Sequence, residues 1–476
     1  MSIRAGFAKR DITPKKPVLL RGQFNRRRAT EKDDPLYATA LCVKHGGDAV
    51  IWLSVDMTAV PRDTVLEIAR GVEECTKGFS QSGLMLSATH THTAPHLTSD
   101  SNVEGWGECF RLTDDVLWDC QRPEEYRDTV FIPGCIEAAR EAFENAEECI
   151  ASAACEYAVI GHPRRAGYKD GSSVMYGETM TESFSQLEGG ADNAVMLAFF
   201  HSLEGKPLGA VVNVNCPAQI WEHGERFSAD YIGAFREMLS KTEIDMPCVT
   251  VIGNAGNIAP RDLLRHRERF MTPPIDSFPY MYGKDGVTDA GERLFEAFER
   301  GYRRRKAVGE GFYYSMADID LPVFTVTKDE YEASKKQYDS FVSKYGCGIY
   351  TAPDMEKMLS SRHAGVVNRY ERQVKCPCCR SRVHILAIGD MVFATNPFEL
   401  YNTYGLRMIA TSPFAYTFTA EITSGYEGYL PTEEAVKAKS YSATVSDCTV
   451  RGEGGDILTE YTVCEINKAH NKIKSY

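Results

Sequence analysis

The feature that most constrains this chain is a series of short apolar runs, alternating with helical patterns, each ending in a cluster of polar, chemically capable residues. Ala49-Val50-Ile51-Trp52-Leu53-Ser54-Val55 runs into Asp56-Met57 and reads as a strand buried on both faces. The next segment begins at Pro61 and carries Val65, Leu66, Ile68, Ala69 and Val72 at helical spacing. Residues 84–88 make another strand and deliver Thr89-His90-Thr91-His92-Thr93-Ala94-Pro95-His96. Ile132, Ile136, Ala139, Phe143 and Ala146 mark one face of an amphipathic helix. Residues 208–214 and 248–252 are further strands, opening into Asn215-Cys216-Pro217 and Gly253-Asn254-Ala255-Gly256-Asn257.

This pattern predicts an α/β architecture, a mixed β-sheet core flanked by helices, because rigid strands position loops whose side chains converge on one crevice. Residues 383–388 and 391–395 flank Gly389-Asp390 as a hairpin, and its second strand leads into Asn396-Pro397-Phe398-Glu399. The charged stretch around 328–372 reads as a helical insertion. With no repeat and no low-complexity linker, residues 1–476 are expected to form one domain.

A net charge of −12 argues against a nucleic-acid partner. The basic runs 26–28 and 303–306 are expected to be solvated surface or helix ends, the first with the option of holding an anionic substrate group. No leader-like segment and no run of ~18 apolar residues is present, so neither export nor membrane insertion is expected. Fifteen cysteines then read as thiols of a reducing cytoplasm. Cys376-Pro377-Cys378-Cys379, the densest group, lacks the second Cys-x-x-Cys pair of a structural zinc site.

His90 and His92 stand two apart, so on an extended segment both face the same way and can address one ion. The threonines around them are expected to fix the imidazole tautomers. His96 follows a proline and is the weaker candidate, while His45, His266, His363, His384 and His470 are expected to be structural or exposed. A catalytic zinc site takes about three nitrogen or oxygen ligands and leaves a position for water. Further candidates are His223, Glu399 and a tyrosine within Ser424-Gly425-Tyr426-Glu427-Gly428-Tyr429.

Several motifs, in order over most of the chain, resemble the catalytic domain of the neutral/alkaline ceramidase family. They are Ala5-Gly6-Phe7-Ala8-Lys9-Arg10-Asp11-Ile12-Thr13-Pro14, Asp34-Pro35-Leu36-Tyr37-Ala38-Thr39-Ala40, Ser54-Val55-Asp56-Met57, the histidine run, Pro397-Phe398-Glu399 and Gly428-Tyr429-Leu430-Pro431-Thr432-Glu433-Glu434. The resemblance implies a zinc hydrolase of N-acyl amides. It makes His90, Glu399 and Tyr429 metal ligands, and His92, Tyr441 and Arg164 catalytic groups. Zinc-bound water is then the nucleophile, with an arginine and a phenol stabilising the oxyanion. Gln23, Arg165 and Asn257 are assigned to substrate contact.

Three departures matter. Where the family has its second histidine ligand this chain has Asn215-Cys216-Pro217-Ala218-Gln219, so His223, or alternatively Cys216, is expected to fill the place. Ala259 stands where the family has a serine, which removes a hydroxyl from the site. The sequence also ends soon after Tyr441, so the family's additional carboxyl-terminal domain is expected to be absent. The expected substrate is a small, polar, soluble molecule rather than a membrane lipid. The alternatives are a metal-dependent glycosidase or esterase using Glu222 and Asp230 as acid and base, or a non-catalytic ligand-binding relative.

Overall fold

The strand Asp48–Val55 shows how the layers arise. Successive side chains point in opposite directions, so Ile51, Leu53 and Val55 join a core beneath helices while Val50 and Trp52 face a second β-sheet. The computed structural model describes residues 2–23, 25–100, 112, 117, 119–264, 283–346 and 352–475. His266 lies outside them.

The first sheet comprises β1 (Arg4–Asp11), β2 (Tyr37–His45), β3 (Asp48–Val55), β4 (Leu84–Ala88), β5 (Glu147–Tyr157), β6 (Ala194–Ser202), β7 (Pro207–Val214) and β8 (Cys248–Ile252). Their order is β8-β7-β6-β5-β1-β2-β3-β4, with β9 (Lys306–Ala307) also pairing with β5. The sheet is mixed: β3–β4 and β7–β8 run parallel and the other pairs antiparallel. A parallel pair needs a crossover, and helices α1 (Arg62–Cys75) and α3 (Tyr231–Leu239) lie in the two connections. With α2 (Ile132–Glu144) and α4 (Gly283–Arg304) they bury apolar faces against this sheet.

The second sheet runs β10-β11-β12-β14, from β10 (Phe312–Pro322), β11 (Cys378–Ile388), β12 (Met391–Thr395) and β14 (Tyr416–Ala420). Between the last two in sequence come the short strand β13 (Glu399–Leu400) and a helix, Asn402–Thr411. The hairpin expected around Gly389-Asp390 is present: Ile388 pairs with Met391, and Gly389 takes φ +53°. The two sheets meet face to face. Trp52 lies edge-on to Phe393 at 5.5 Å and donates through Nε1 to Ser87 Oγ at 2.9 Å. Helices Asn402–Thr411 and Gly452–Lys474 cover the far face of the second sheet. The mixed sheet flanked by helices is therefore half of a four-layer α/β/β/α sandwich.

Within the charged stretch lie α5 (Lys328–Tyr345) and α6 (Asp354–Arg372). A capping box between Thr327 and Glu330 starts α5, and Tyr331 stacks on Tyr370 at 4.3 Å to pair the helices.

One surface expectation is overturned. Arg27 is only 1% exposed, and it donates to the carbonyls of Arg21 at 2.7 Å, His92 at 2.6 Å and Gly224 at 3.0 Å. Burial lowers its pKa to about 10, against the pull of Glu222 and Glu225, so the guanidinium still carries charge at neutral pH. It acts as an internal clamp on the histidine run.

Candidate metal-binding active site

The parallel β3–β4 pair brings Asp56 and the histidine run to the same sheet end. Asp56 anchors this corner, accepting from Tyr37 N at 2.7 Å, Thr89 Oγ1 at 3.3 Å and both Arg236 terminal nitrogens at 2.5 and 3.2 Å. The threonines tether the run rather than orient the imidazoles. Thr91 and Thr93 hydroxyls both donate to Ser228 O, at 2.7 and 2.8 Å.

The run is not extended at His90, whose φ of +58° lies in the left-handed region that non-glycine residues seldom occupy. Its ring is set by Nδ1–H donating to Thr58 O at 2.8 Å. That hydrogen bond leaves Nε2 with a lone pair, which faces Glu399 Oε2 at 3.6 Å. Burial is the main reason His90 is harder to protonate than usual, with Glu399 opposing it. A ring nitrogen and a carboxylate oxygen thus face one another inside the protein.

Glu399 is held from two sides. It sits on β13, which pairs in parallel with β15 (Tyr429–Leu430), and Tyr426 Oη donates to its Oε1 at 2.7 Å. Glu421, wholly buried, braces the same strand by accepting from Leu400 N at 3.0 Å and Ala255 N at 2.9 Å. Tyr429 packs edge-on to Tyr441, ring centres 5.5 Å apart, and the Arg164 guanidinium lies 5.3 Å from the Tyr429 ring. Burial raises the pKa of both phenols, while Arg164 pulls each down. Arg164 donates to Gly256 O at 2.8 Å and keeps a buried Nε with no hydrogen-bond partner.

His92 stands beside His90, ring centres 5.0 Å apart. Its Nδ1 is buried without a hydrogen-bond partner and lies 4.0 Å from Glu222 Oε2. Gln23 Nε2 donates to that same oxygen at 3.0 Å. Gly22 makes the approach possible: its φ is +108°, and a Cβ there would fall 2.6 Å from His92 Cγ.

Other candidates lie elsewhere. The His223 side chain is 67% exposed and meets Glu222 Oε1 at 3.6 Å, on a different oxygen from the one facing His92. The Cys216 thiol is buried, contacting Pro217 O at 3.6 Å. Neither is seen to join His90 and Glu399. Among the described residues, no group of three or more His, Cys, Asp and Glu side chains is arranged to hold a metal ion. Arg165 is fully buried and fixes the chain around Tyr441. It pairs with Glu188 at 2.9 Å and donates to the carbonyls of Ala435, Lys439 and Tyr441 at 3.3, 2.6 and 2.7 Å. Asn257 Oδ1 accepts from Asn402 N at 2.8 Å, and Ala259 pairs with His162 in a short ladder.

A cavity of about 430 Å³ opens onto His90, His92, Glu399, Tyr429 and Tyr441, with Arg21, Gln23, His96 and Tyr426 also in its wall. The whole chain superposes on a crystal structure of neutral ceramidase from Pseudomonas aeruginosa, with a TM-score of 0.70 and 14% identity, over 99% of this chain and 75% of that one. The fold is that of the neutral ceramidases. A ceramidase structure complexed with C2 has the same fold, with a TM-score of 0.68 and 13% identity, over 99% of this chain and 76% of that one. No family model and no curated protein matches the sequence.

Sequence reasoning passed over Tyr426, Arg27 and Glu421. Tyr426 lay in a recognised segment, but Tyr429 was singled out there. Arg27 was hidden in a run of three arginines, and Glu421 forms no local pattern.

Proposed function

We propose that this ceramidase-like fold is a zinc-dependent hydrolase that cleaves the amide bond of a small, polar, soluble N-acyl compound. The observation that carries the reading is the 3.6 Å gap between His90 Nε2 and Glu399 Oε2. Two ligands on a tetrahedral zinc with bonds of about 2.0–2.1 Å stand about 3.3 Å apart, so the gap fits one shared ion. Tyr429, a phenol beside both Glu399 and a guanidinium, is the third proposed ligand. A divalent ion there supplies Lewis-acid polarisation and a water more acidic than bulk water.

The chain's own groups do the rest. His92 Nδ1, unpartnered and close to Glu222, takes a proton from the attacking water and returns it to the leaving amine. Tyr441 stays protonated, because burial raises its pKa, and donates to the carbonyl oxygen as charge develops. Arg164 adds positive charge through its free Nε. Ala259 offers no hydroxyl nucleophile, and in this reading water attacks directly. Among the described residues no helix is long and apolar enough to cross a membrane, and all the cysteines are free. Both are compatible with a small soluble substrate in a reducing cytoplasm.

The test joins metal analysis to a substrate screen. Purified chain is expected to carry about one zinc, lost in the His90→Ala/Glu399→Ala double variant, and to release amine from N-acyl substrates. Unchanged metal uptake by the double variant rejects the site. Release of a reducing sugar without amine rejects the amide assignment.

A further inference from the structure

The cavity that holds His90 and Glu399 is also lined by Arg362, Arg369 and Arg372 of α6. Steps of seven and three place these residues on one face of the helix, together with Gly365. A Cβ on Gly365 would come within 2.9 Å of Ser446 Cα, so this face packs flush against the segment that follows Tyr441. Arg369 donates to Thr449 O, and Gln373 bonds Val326 N and O at 2.8 and 2.9 Å, which fixes the carboxyl end of α6.

Three guanidinium groups turned to one cavity invert the local charge of a chain whose net charge is −12. Two carboxylates of the same wall, Asp447 and Glu427, attract Arg362 and Arg369 but also accept hydrogen bonds from other groups. Asp447 Oδ2 accepts from Ser442 N at 3.0 Å and Thr444 Oγ1 at 2.8 Å, and Glu427 Oε2 accepts from the Cys379 thiol at 3.4 Å. Arg362 Nε is buried with no hydrogen-bond partner. Burial is the first cause that lowers the Arg369 pKa, and the neighbouring Arg372 acts in the same direction against the pull of the Cys379 and Cys448 thiols and of Glu427. Guanidinium groups meet carboxylate, sulfate and phosphate through paired N–H donors.

We propose that the Arg362–Arg369–Arg372 face is an anion-recognition subsite, and that the amide substrate carries a negatively charged group at the end remote from the bond that is cleaved. The subsite stands on the α6 geometry, and the word amide rests on the hydrolase reading above. Arg369 is tied to the backbone, so Arg362 and Arg372 are the residues to vary.

The experiment uses the full zinc-loaded chain and matched N-acyl amides ending in a methyl ester, a carboxylate, a sulfate or a phosphate. Arg362→Gln and Arg372→Gln are each expected to lower kcat/KM for the charged compounds about tenfold, mainly through KM, and to leave the ester unchanged. The rank order of the three anions identifies the group. Arg372→Glu is expected to favour a cationic terminus. A parallel arm, free of turnover, measures calorimetric binding of glutarate and inorganic sulfate to wild type and Arg362→Gln. Equal kcat/KM for ester and anions in wild type, or equal anion binding by both proteins, overturns the subsite while amide cleavage stands. Anion binding lost in the variant, with no amide cleaved by wild type, keeps the subsite and removes the hydrolase reading.

Discussion

Glu399 and Tyr429 are direct register partners across the parallel β13–β15 pair. Neighbours in register leave a ribbon on the same face, so a carboxylate and a phenol reach the cavity side by side from a backbone locked by ladder hydrogen bonds. Tyr426, three residues ahead of Tyr429 in the approach to β15, completes the support by bonding Glu399 Oε1 at 2.7 Å.

That hydrogen bond orients the carboxylate, and a residue that orients a ligand is worth about 10–100-fold in metal affinity. Tyr426→Phe is therefore expected to weaken zinc binding by that factor without unfolding the chain. Competition with a chelating dye measures the affinity. An unaltered value would remove Tyr426 from the site.

Gly22→Ala places a methyl group 2.6 Å from His92 Cγ at a φ of +108°. The imidazole or the loop must shift, and small misplacements of a proton-transfer group are costly. The expected outcome is a fall in kcat of about tenfold or more, with zinc content unchanged, because the three atoms nearest to the added methyl all belong to His92.

Arg165 carries more structural weight than any other cation near the site. Arg165→Met leaves Glu188 without its partner and three carbonyls without their donor. Breaking a buried pair by removing one member costs about 3–5 kcal/mol. Urea unfolding is expected to show a loss of that order, and activity to fall with it because Tyr441 O is one of the released carbonyls. A loss below about 1 kcal/mol would mean that the segment holds itself.

Asp34 gives a pH signature. Burial is the leading cause that pushes its pKa from 3.8 up to about 7, against hydrogen bonds from Ser228 and Ala229. The folded chain then binds this proton more tightly than the unfolded one. This group's contribution therefore declines as pH rises from about 4 to about 7, and its full cost is felt above pH 7. Asp34→Asn removes the titration, and is expected to raise the melting temperature by a few degrees at pH 8 and by progressively less towards pH 4. A gain independent of pH would contradict this.

How much of this could be read beforehand depended on whether the signal was local. The strands ending at Val55, Ala88, Val214 and Ile252 are legible because continuous apolar runs mark strands buried on both faces. That β10–β12 and β14 form a separate sheet is not, because apolar runs do not say which sheet they join. The His90–Glu399 pairing came from motif resemblance, since no spacing rule links residues so distant in sequence. The left-handed turn at His90 and the burial of Arg27 were missed for a common reason: both depend on tertiary neighbours, the Thr58 carbonyl in one case and the His92 and Gly224 carbonyls in the other. At His223 the side chain is 67% exposed, an orientation that its position in the sequence does not reveal.

The cavity draws its wall from both ends of the chain, with His90 near one and Glu399, Tyr429 and Tyr441 near the other. On a ribosome adding 5–20 residues each second, Tyr441 emerges roughly 20–70 s after His90. Glu399 follows His90 by about 15–60 s at the same rate, and until then the imidazole has no Glu399 carboxylate opposite it. If the proposed ion is bound, its loading is therefore an event of the finished sandwich.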